Sequence, residues 1–288
     1  MSERLLICTD LDRTLIPNGS QPEPAGALDH FARLVNRTEV TLAYVSGRHR
    51  DLVESAISDY RLPVPDYVLG DVGTTIYRVG PRHEWQRQLA WEREISKDWN
   101  DLSSADLEPV LRDLSGLRLQ EPSRQNVHKL SYNLPTRYDR DTLAGQIKQR
   151  LDSLGVNARL VWSIDDADKT GLLDVLPMRA SKYHAIEALM QKQGFTCENT
   201  VFCGDSGNDM EVLVSPVAAV LVANSQPEVQ GLALRLAAES GHADRLYIAQ
   251  GNFMGLNGNY SAGMLEGIAH FHPETVDWME FRIEESAT

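Results

Sequence analysis

Short, unbroken apolar runs recur along this chain, and each stops at a polar or glycine-bearing cluster. Leu5-Leu6-Ile7-Cys8 runs into Asp10, Val40-Thr41-Leu42-Ala43-Tyr44-Val45 into Ser46-Gly47-Arg48, and Val201-Phe202-Cys203 into Gly204-Asp205. Runs this short and continuous read as strands buried on both faces. Between them apolar residues return at helical spacing, with Leu28, Phe31, Leu34 and Val35 marking a helix over roughly 26–37 and Leu52, Ala56, Ile57 and Tyr60 a second one. Strand–helix–strand alternation of this kind predicts an α/β fold with a parallel sheet and right-handed crossovers. The carboxyl edge of such a sheet is where its site assembles.

The alternation is interrupted. Residues 83–177 are richer in charge and tryptophan, with helices expected near 104–115 and 139–153 and strands near 127–134 and 158–163. That pattern predicts an inserted α+β unit, flanked by a core made of 1–82 and 178–288. Trp85, Trp91 and Trp162 are expected in the insert's own core. After 177 the alternation resumes, through helices near 181–193, 208–214 and 227–239 to a last one near 260–271. The acidic tail beyond His272 is expected to be disordered.

Composition narrows the function. The formal net charge is −13 and no Lys/Arg run offsets it, which argues against nucleic-acid and anionic-membrane partners. No apolar run approaches the ~18 residues of a membrane span, and the apolar start is too short for a signal peptide. Cys8, Cys197 and Cys203 have no CxxC spacing and read as buried or free thiols in a reducing, cytoplasmic setting.

Four clusters stand at strand ends, in order. Asp10-x-Asp12-x-Thr14 sets two carboxylates two residues apart: Asp10 can attack phosphorus, Asp12 can protonate a leaving oxygen, and Thr14 can anchor the turn. Ser46-Gly47-Arg48 opens a helix, where a hydroxyl and free N–H groups can hold a phosphate oxygen. Lys182 lies in the first turn of a helix opened by Ser181, a place where the macrodipole disfavours a cation. Gly204-Asp205-Ser206-Gly207-Asn208-Asp209 forms an oxygen-rich corner suited to a hard cation. Alone, the first cluster reads more readily as an acidic turn, the second as a helix N-cap and Lys182 as a solvated lysine, whereas the dense last cluster favours the cation reading over a capping turn. Together, in this order, the bland readings fail.

In identity and order these four motifs resemble those of the haloacid-dehalogenase (HAD) superfamily of phosphohydrolases, subclass IIB. The resemblance implies a Rossmann-like core, a larger cap of the C2B type in the 83–177 insert, and an aspartyl-phosphate mechanism with Asp10 and Asp12 as the catalytic pair. It also implies Mg²⁺ held by Asp10, the Asp12 carbonyl and Asp205, with Asp209 alongside. Phosphate would be bound by Ser46, Gly47, Lys182 and Asn208. Arg48 is a further candidate whose side chain could equally run along its helix.

Pro65-Asp66-Tyr67, Val72-Gly73, His128-Lys129-Leu130-Ser131 and Leu265 through Phe271 bring the chain nearest to sucrose-phosphate phosphatases. From that likeness His128, Lys129, Ser131 and Asp174 become candidate sugar contacts, although cap packing would account for them equally well. Sucrose 6-phosphate is the expected substrate, and a sugar-phosphate synthase the expected partner of a monomer or weak dimer. Phosphates of mannosylfructose, glucosylglycerol or trehalose type are the alternatives. A sugar phosphomutase and a non-catalytic sugar-phosphate sensor are the readings from other classes. One stretch departs from the likeness. The Gly/Asn-rich segment 249–259 either reaches the cleft or loops over the surface.

Overall fold

The computed structural model describes residues 4–135, 137–165 and 170–281. In chain order its elements are β1 (Leu5–Thr9), α1 (Ala27–Val35), β2 (Val40–Val45), α2 (Arg50–Asp59), β3 (Tyr67–Gly70), β4 (Thr75–Val79), β5 (Trp85–Arg87), α3 (Leu89–Ser96) and α4 (Ser104–Leu111). They continue with β6 (Arg118–Leu119), β7 (Leu130–Pro135), α5 (Arg140–Asp152), β8 (Ala158–Asp165), β9 (Thr170–Pro177), α6 (Lys182–Gln193) and β10 (Thr200–Gly204). The last are α7 (Met210–Leu213), β11 (Ala218–Leu221), α8 (Pro227–Glu239), β12 (Leu246–Ile248) and α9 (Ser261–Phe271).

Two sheets organise the chain. The larger runs β12-β11-β10-β1-β2-β3-β4-β5, parallel from β12 to β3 and antiparallel over the last two pairings. Along β1 the side chains alternate between two cores: Leu5 and Ile7 pack with Phe31 and Leu34 of α1 and Ile268 of α9, whereas Leu6 and Cys8 pack with Ile186 and Leu189 of α6. Burial on both faces is why the run carries no polar alternation. The smaller sheet, β6-β7-β9-β8, is antiparallel throughout. With α4 and α5 it encloses a third core around Trp99, Leu130, Tyr132, Ile147 and Val175.

Two expectations need correction. Trp85 and Trp91 do not belong to the small-sheet core. Strand β5 extends the large sheet by pairing with β4, so Trp85 packs on the Leu5/Ile7 core and Trp91 is buried in the Leu6/Cys8 core. Trp91 Nε1–H donates to the Gly73 carbonyl at 2.9 Å, while Trp99 and Trp162 do pack with the small sheet. Nor is the segment after His272 free through Phe281. A 3₁₀ helix, Pro273–Met279, buries Thr275 and Met279 against α1 and α9, and Phe281 stacks on His30 at 3.9 Å. Residues 282–288 lie outside the described residues.

Candidate active site

The strand order β10-β1-β2 sets three of the motif-bearing ends side by side. Asp10, buried at the end of β1, donates its N–H to the Cys203 carbonyl of β10 at 2.8 Å. The turn after it closes through backbone bonds, with Thr14 and Ile16 N–H donating to the Leu11 carbonyl at 3.3 and 2.8 Å. Thr14 is buried, but its hydroxyl has no hydrogen-bond partner, so the expected anchoring role falls to those backbone groups instead.

Lys182 enters from the first turn of α6, whose start is capped by Ser181 Oγ accepting from His184 N–H at 3.2 Å. Its ammonium donates to Asp209 Oδ1 at 2.6 Å, to Asp10 Oδ1 at 2.9 Å and to Asn208 Oδ1 at 3.3 Å. Burial would push this lysine down, but the Asp10 and Asp209 carboxylates more than reverse that and hold its pKa above the ordinary value. The same two charges offset the unfavourable helix start. On the far side Asp209 Oδ2 accepts from the N–H groups of Asp205 and Ser206 at 3.1 and 3.2 Å, which folds the acidic corner back on itself. Glycine is needed at 204, since a Cβ there would sit 2.5 Å from Asp209 Oδ2.

One carboxylate oxygen from each of Asp10, Asp205 and Asp209 lies within 4.8 Å of the others. Burial pushes Asp10 up to about 8, Lys182 opposing and Asp209 and Asp205 adding to the rise. Burial and the Asp209 charge likewise push Asp205 up to about 6. Three buried carboxylates meet one ammonium, Lys182, and one guanidinium, Arg13 beside Asp205, which leaves the corner short of positive charge. Its all-oxygen donor set fits a hard divalent cation.

Asp12 is arranged differently. Arg48 clasps it with two hydrogen bonds, Nε to Oδ2 at 2.8 Å and Nη2 to Oδ1 at 2.6 Å, and Asn18 Nδ2 donates to Oδ1 at 2.8 Å. Burial alone would raise its pKa, yet Arg48 prevails and lowers it. Arg48 therefore points neither to the cleft nor simply along α2. Its guanidinium is shared between Asp12 and the Leu52 carbonyl of α2, to which Nη1 donates at 3.4 Å.

Above this floor a cavity of about 1020 Å³ opens between the two sheets, large for a small-molecule site. Gly47, Lys182, Asp205 and Asn208 line it from below, and Trp162 and Asp174 of the small sheet, with Arg124 and Lys129 from the segment leading into β7, line it from above. Of the four candidate sugar contacts, Lys129 and Asp174 thus line the cleft. His128 and Ser131 do not line it. The buried His128 ring meets Trp99 edge-on at 6.0 Å, because alternate positions entering β7 face opposite ways. Ser131 lies beneath the surface and donates to Asp174 Oδ1 at 2.5 Å, orienting that carboxylate.

Sequence reading missed Asp71, a buried carboxylate 3.6 Å from Lys129 Nζ in the turn after β3. It missed Arg13 as well, whose Nε is 3.4 Å from Asp205 Oδ2. The signal for Asp71 was present: Gly70-Asp71-Val72-Gly73 is one more polar cluster closing an apolar strand.

The family model for sucrose-6F-phosphate phosphohydrolase matches residues 3–272. The chain belongs to that family. As a member of the sucrose-6F-phosphate phosphohydrolase family it is a phosphoric monoester hydrolase of sugar phosphates. Its similarity to a Nitrosococcus oceani protein described as a HAD-like hydrolase is 51% identity over 287 residues, covering 100% of this chain and 77% of the relative. It is 28% identical to the mannosylfructose-phosphate phosphatase of Agrobacterium fabrum, over 92% of this chain and 96% of that one. Among solved structures, the Synechocystis sp. PCC6803 sucrose-phosphatase in complex with sucrose and phosphate is similar with a TM-score of 0.72 and 28% identity, covering 93% and 98% of the two chains. Among the described residues no helix is long and apolar enough to cross a membrane.

Proposed function

We propose that this chain hydrolyses sucrose 6-phosphate to sucrose and inorganic phosphate, with Mg²⁺, through an aspartyl-phosphate on Asp10. The observation that carries the reading is the buried Asp10–Lys182–Asp209 cluster, whose Lys182 lines a cleft with Lys129 and Asp174 on its opposite wall. Asp10, the Asp12 main-chain carbonyl and Asp205 would hold the metal, with Asp209 beside them. Mg²⁺ bound by these residues would supply positive charge to balance the phosphoryl oxygens and favour the ionised Asp10.

An Asp10 carboxylate oxygen forms a bond to phosphorus as the bond from phosphorus to the sugar oxygen breaks. Asp12 gives its proton to that departing oxygen. In the second half a water loses a proton to Asp12, its oxygen bonds to phosphorus, and the Asp10–phosphorus bond breaks to free phosphate. Ser46, the Gly47 N–H and Lys182 grip the non-transferring oxygens, and Asn208 orients Lys182. The Arg48 and Asn18 contacts favour the ionised Asp12, which suits the water-activating half. To act as an acid, Asp12 must turn away from Arg48 toward the leaving oxygen. The small-sheet unit serves as a cap that closes over the sugar and excludes water.

A mannosylfructose phosphate is the second reading, favoured by the likeness to the Agrobacterium fabrum phosphatase over nearly the whole of both chains. Phosphate release with Mg²⁺ from a panel of disaccharide, hexose and aryl phosphates separates the two. Highest kcat/KM on sucrose 6-phosphate supports the first, and a clear preference for mannosylfructose phosphate replaces it. Release from no ester, with EDTA without effect, would sink both.

A further inference from the structure

We infer that Asn224 is a positioning residue for Asp12, acting through the Arg13 peptide, and that the Gly/Asn-rich loop 249–260 exists to hold it there. The inference rests on the hydrolase reading above. Arg13, next to Asp12, sits in the left-handed region at φ 61, where a side-chain-bearing residue stays only if its surroundings hold it. Both ends of that residue are held by asparagine side chains. Its N–H donates to Asn18 Oδ1 at 2.8 Å, and its carbonyl accepts from Asn224 Nδ2 at 2.7 Å. Asn18 also donates to the Asp12 carboxylate, so a shift of the Arg13 peptide moves the acid/base group with it.

Asn224 is buried in the turn after β11, and its amide is pinned from the other side. Tyr260 N–H donates to Asn224 Oδ1 at 2.8 Å, which fixes which end of the amide faces Arg13. Tyr260 closes the loop, itself at a positive φ of 50. The loop does not enter the cleft. Buried Glu266 accepts from Gln250 and Gly251 N–H at 2.8 and 2.9 Å, securing its start. Asn257 and Asn259 donate to the Pro22 carbonyl at 3.1 and 3.2 Å, and Tyr260 Oη–H to the Gln21 carbonyl at 3.2 Å. Residues 11–22 are thus clamped between Asn224 and the loop.

Asn224→Asp tests the claim, because it keeps an oxygen facing Tyr260 N–H while setting a carboxylate oxygen against the Arg13 carbonyl, so that the tether becomes a repulsion. A series of aryl phosphates with leaving phenols of graded acidity is hydrolysed with Mg²⁺ by wild type and variant, and kcat/KM is compared. Misplaced acid help should cost on the order of 10- to 100-fold for the least acidic phenols and little for the most acidic. A paired Asn257→Ala, Asn259→Ala variant, altered only on the loop, should show the same trend at smaller size and decides the matter if Asn224→Asp does not fold. A loss uniform across the series, or none in a folded variant, overturns the inference. A wild type inert toward every ester overturns the hydrolase reading and this inference with it.

Discussion

Asp10 and Lys182 meet at 2.9 Å, both buried. Asp10→Asn keeps size and hydrogen-bonding reach but removes the attacking charge. Turnover should fall ~10⁴-fold or more while the circular-dichroism spectrum is unchanged; near-normal activity would remove Asp10 as the nucleophile. His128 offers a pH test away from the acidic corner. Its burial holds the imidazole pKa below the ordinary 6.5. A depressed folded value means the unfolded chain binds the proton more readily. The His128 contribution is therefore fully present above pH 6.5 and is lost as pH falls through the lower folded value. In His128→Gln the thermal-midpoint gap to wild type should narrow between pH 7.5 and 5.5, as ~one titration range below the histidine reference value requires; a gap that widens on acidification would reverse the assigned direction.

At the scale of elements, the turn between β3 and β4 ties the parts together. Asp71, Val72 and Gly73 follow one another at φ 51, 61 and 87. Asp71 and Val72 N–H donate to the Arg48 and Ser46 carbonyls at 3.0 and 3.1 Å. A Cβ on Gly73 would collide with the Ser181 carbonyl, one residue before Lys182. Gly73→Ala should cost at least ~1–2 kcal/mol from the left-handed backbone alone, and it should lower kcat by displacing Lys182. An active variant with an unchanged chemical-denaturation midpoint would show that the turn and α6 are not so tightly coupled. Lys129 and Asp71 are both less than a tenth exposed, so breaking their pair leaves a buried charge. Lys129→Met should destabilise by ~3–5 kcal/mol, with part recovered in the double variant Lys129→Met, Asp71→Asn. Its KM for the sugar ester should rise while aryl phosphate hydrolysis persists.

Among the described residues, polar links join the two sheets and their flanking turns and helices. Asn126 Nδ2 donates to Thr74 Oγ1 at 2.8 Å, Lys129 reaches Asp71, and Arg159 Nη1 donates to Glu211 Oε2 at 2.9 Å. The Arg159 pair is partly solvated at 25% and 37% exposure, so its net worth is small. Arg159→Ala should change stability by no more than ~1 kcal/mol. It should nonetheless raise KM for the sugar ester, because Arg159 lines the cleft and ties β8 to α7 across it. A large fall in thermal midpoint would mean that this link carries the packing of the two units. Charge follows the same division of labour. A chain of net charge −13 binds an anion only at a local exception, and the cleft gathers Arg13, Arg124, Lys129, Arg159 and Lys182 for it.

Much of this was legible in the residues. Uninterrupted runs such as Leu5–Cys8 announce strands buried on both faces, and the polar clusters that end them announce the catalytic edge, because period and burial are local properties. What joins distant segments was not. Trp85 and Trp91 read as insert residues from sequence position alone, because nothing local shows that β5 pairs with β4 and extends the large sheet. Arg48 and Asp12 lie 36 residues apart and Asn224 and Arg13 lie 211 apart. No local pattern encodes such pairs. The residue types and their order determined that this chain would carry Asp10, Asp12, Lys182, Asp205 and Asp209 at strand and helix ends. Only the tertiary structure decided that Arg48 clasps Asp12, that His128 turns inward, and that the glycine-rich loop braces the motif rather than reaching the sugar, since each outcome depends on which surfaces were left to pack against one another.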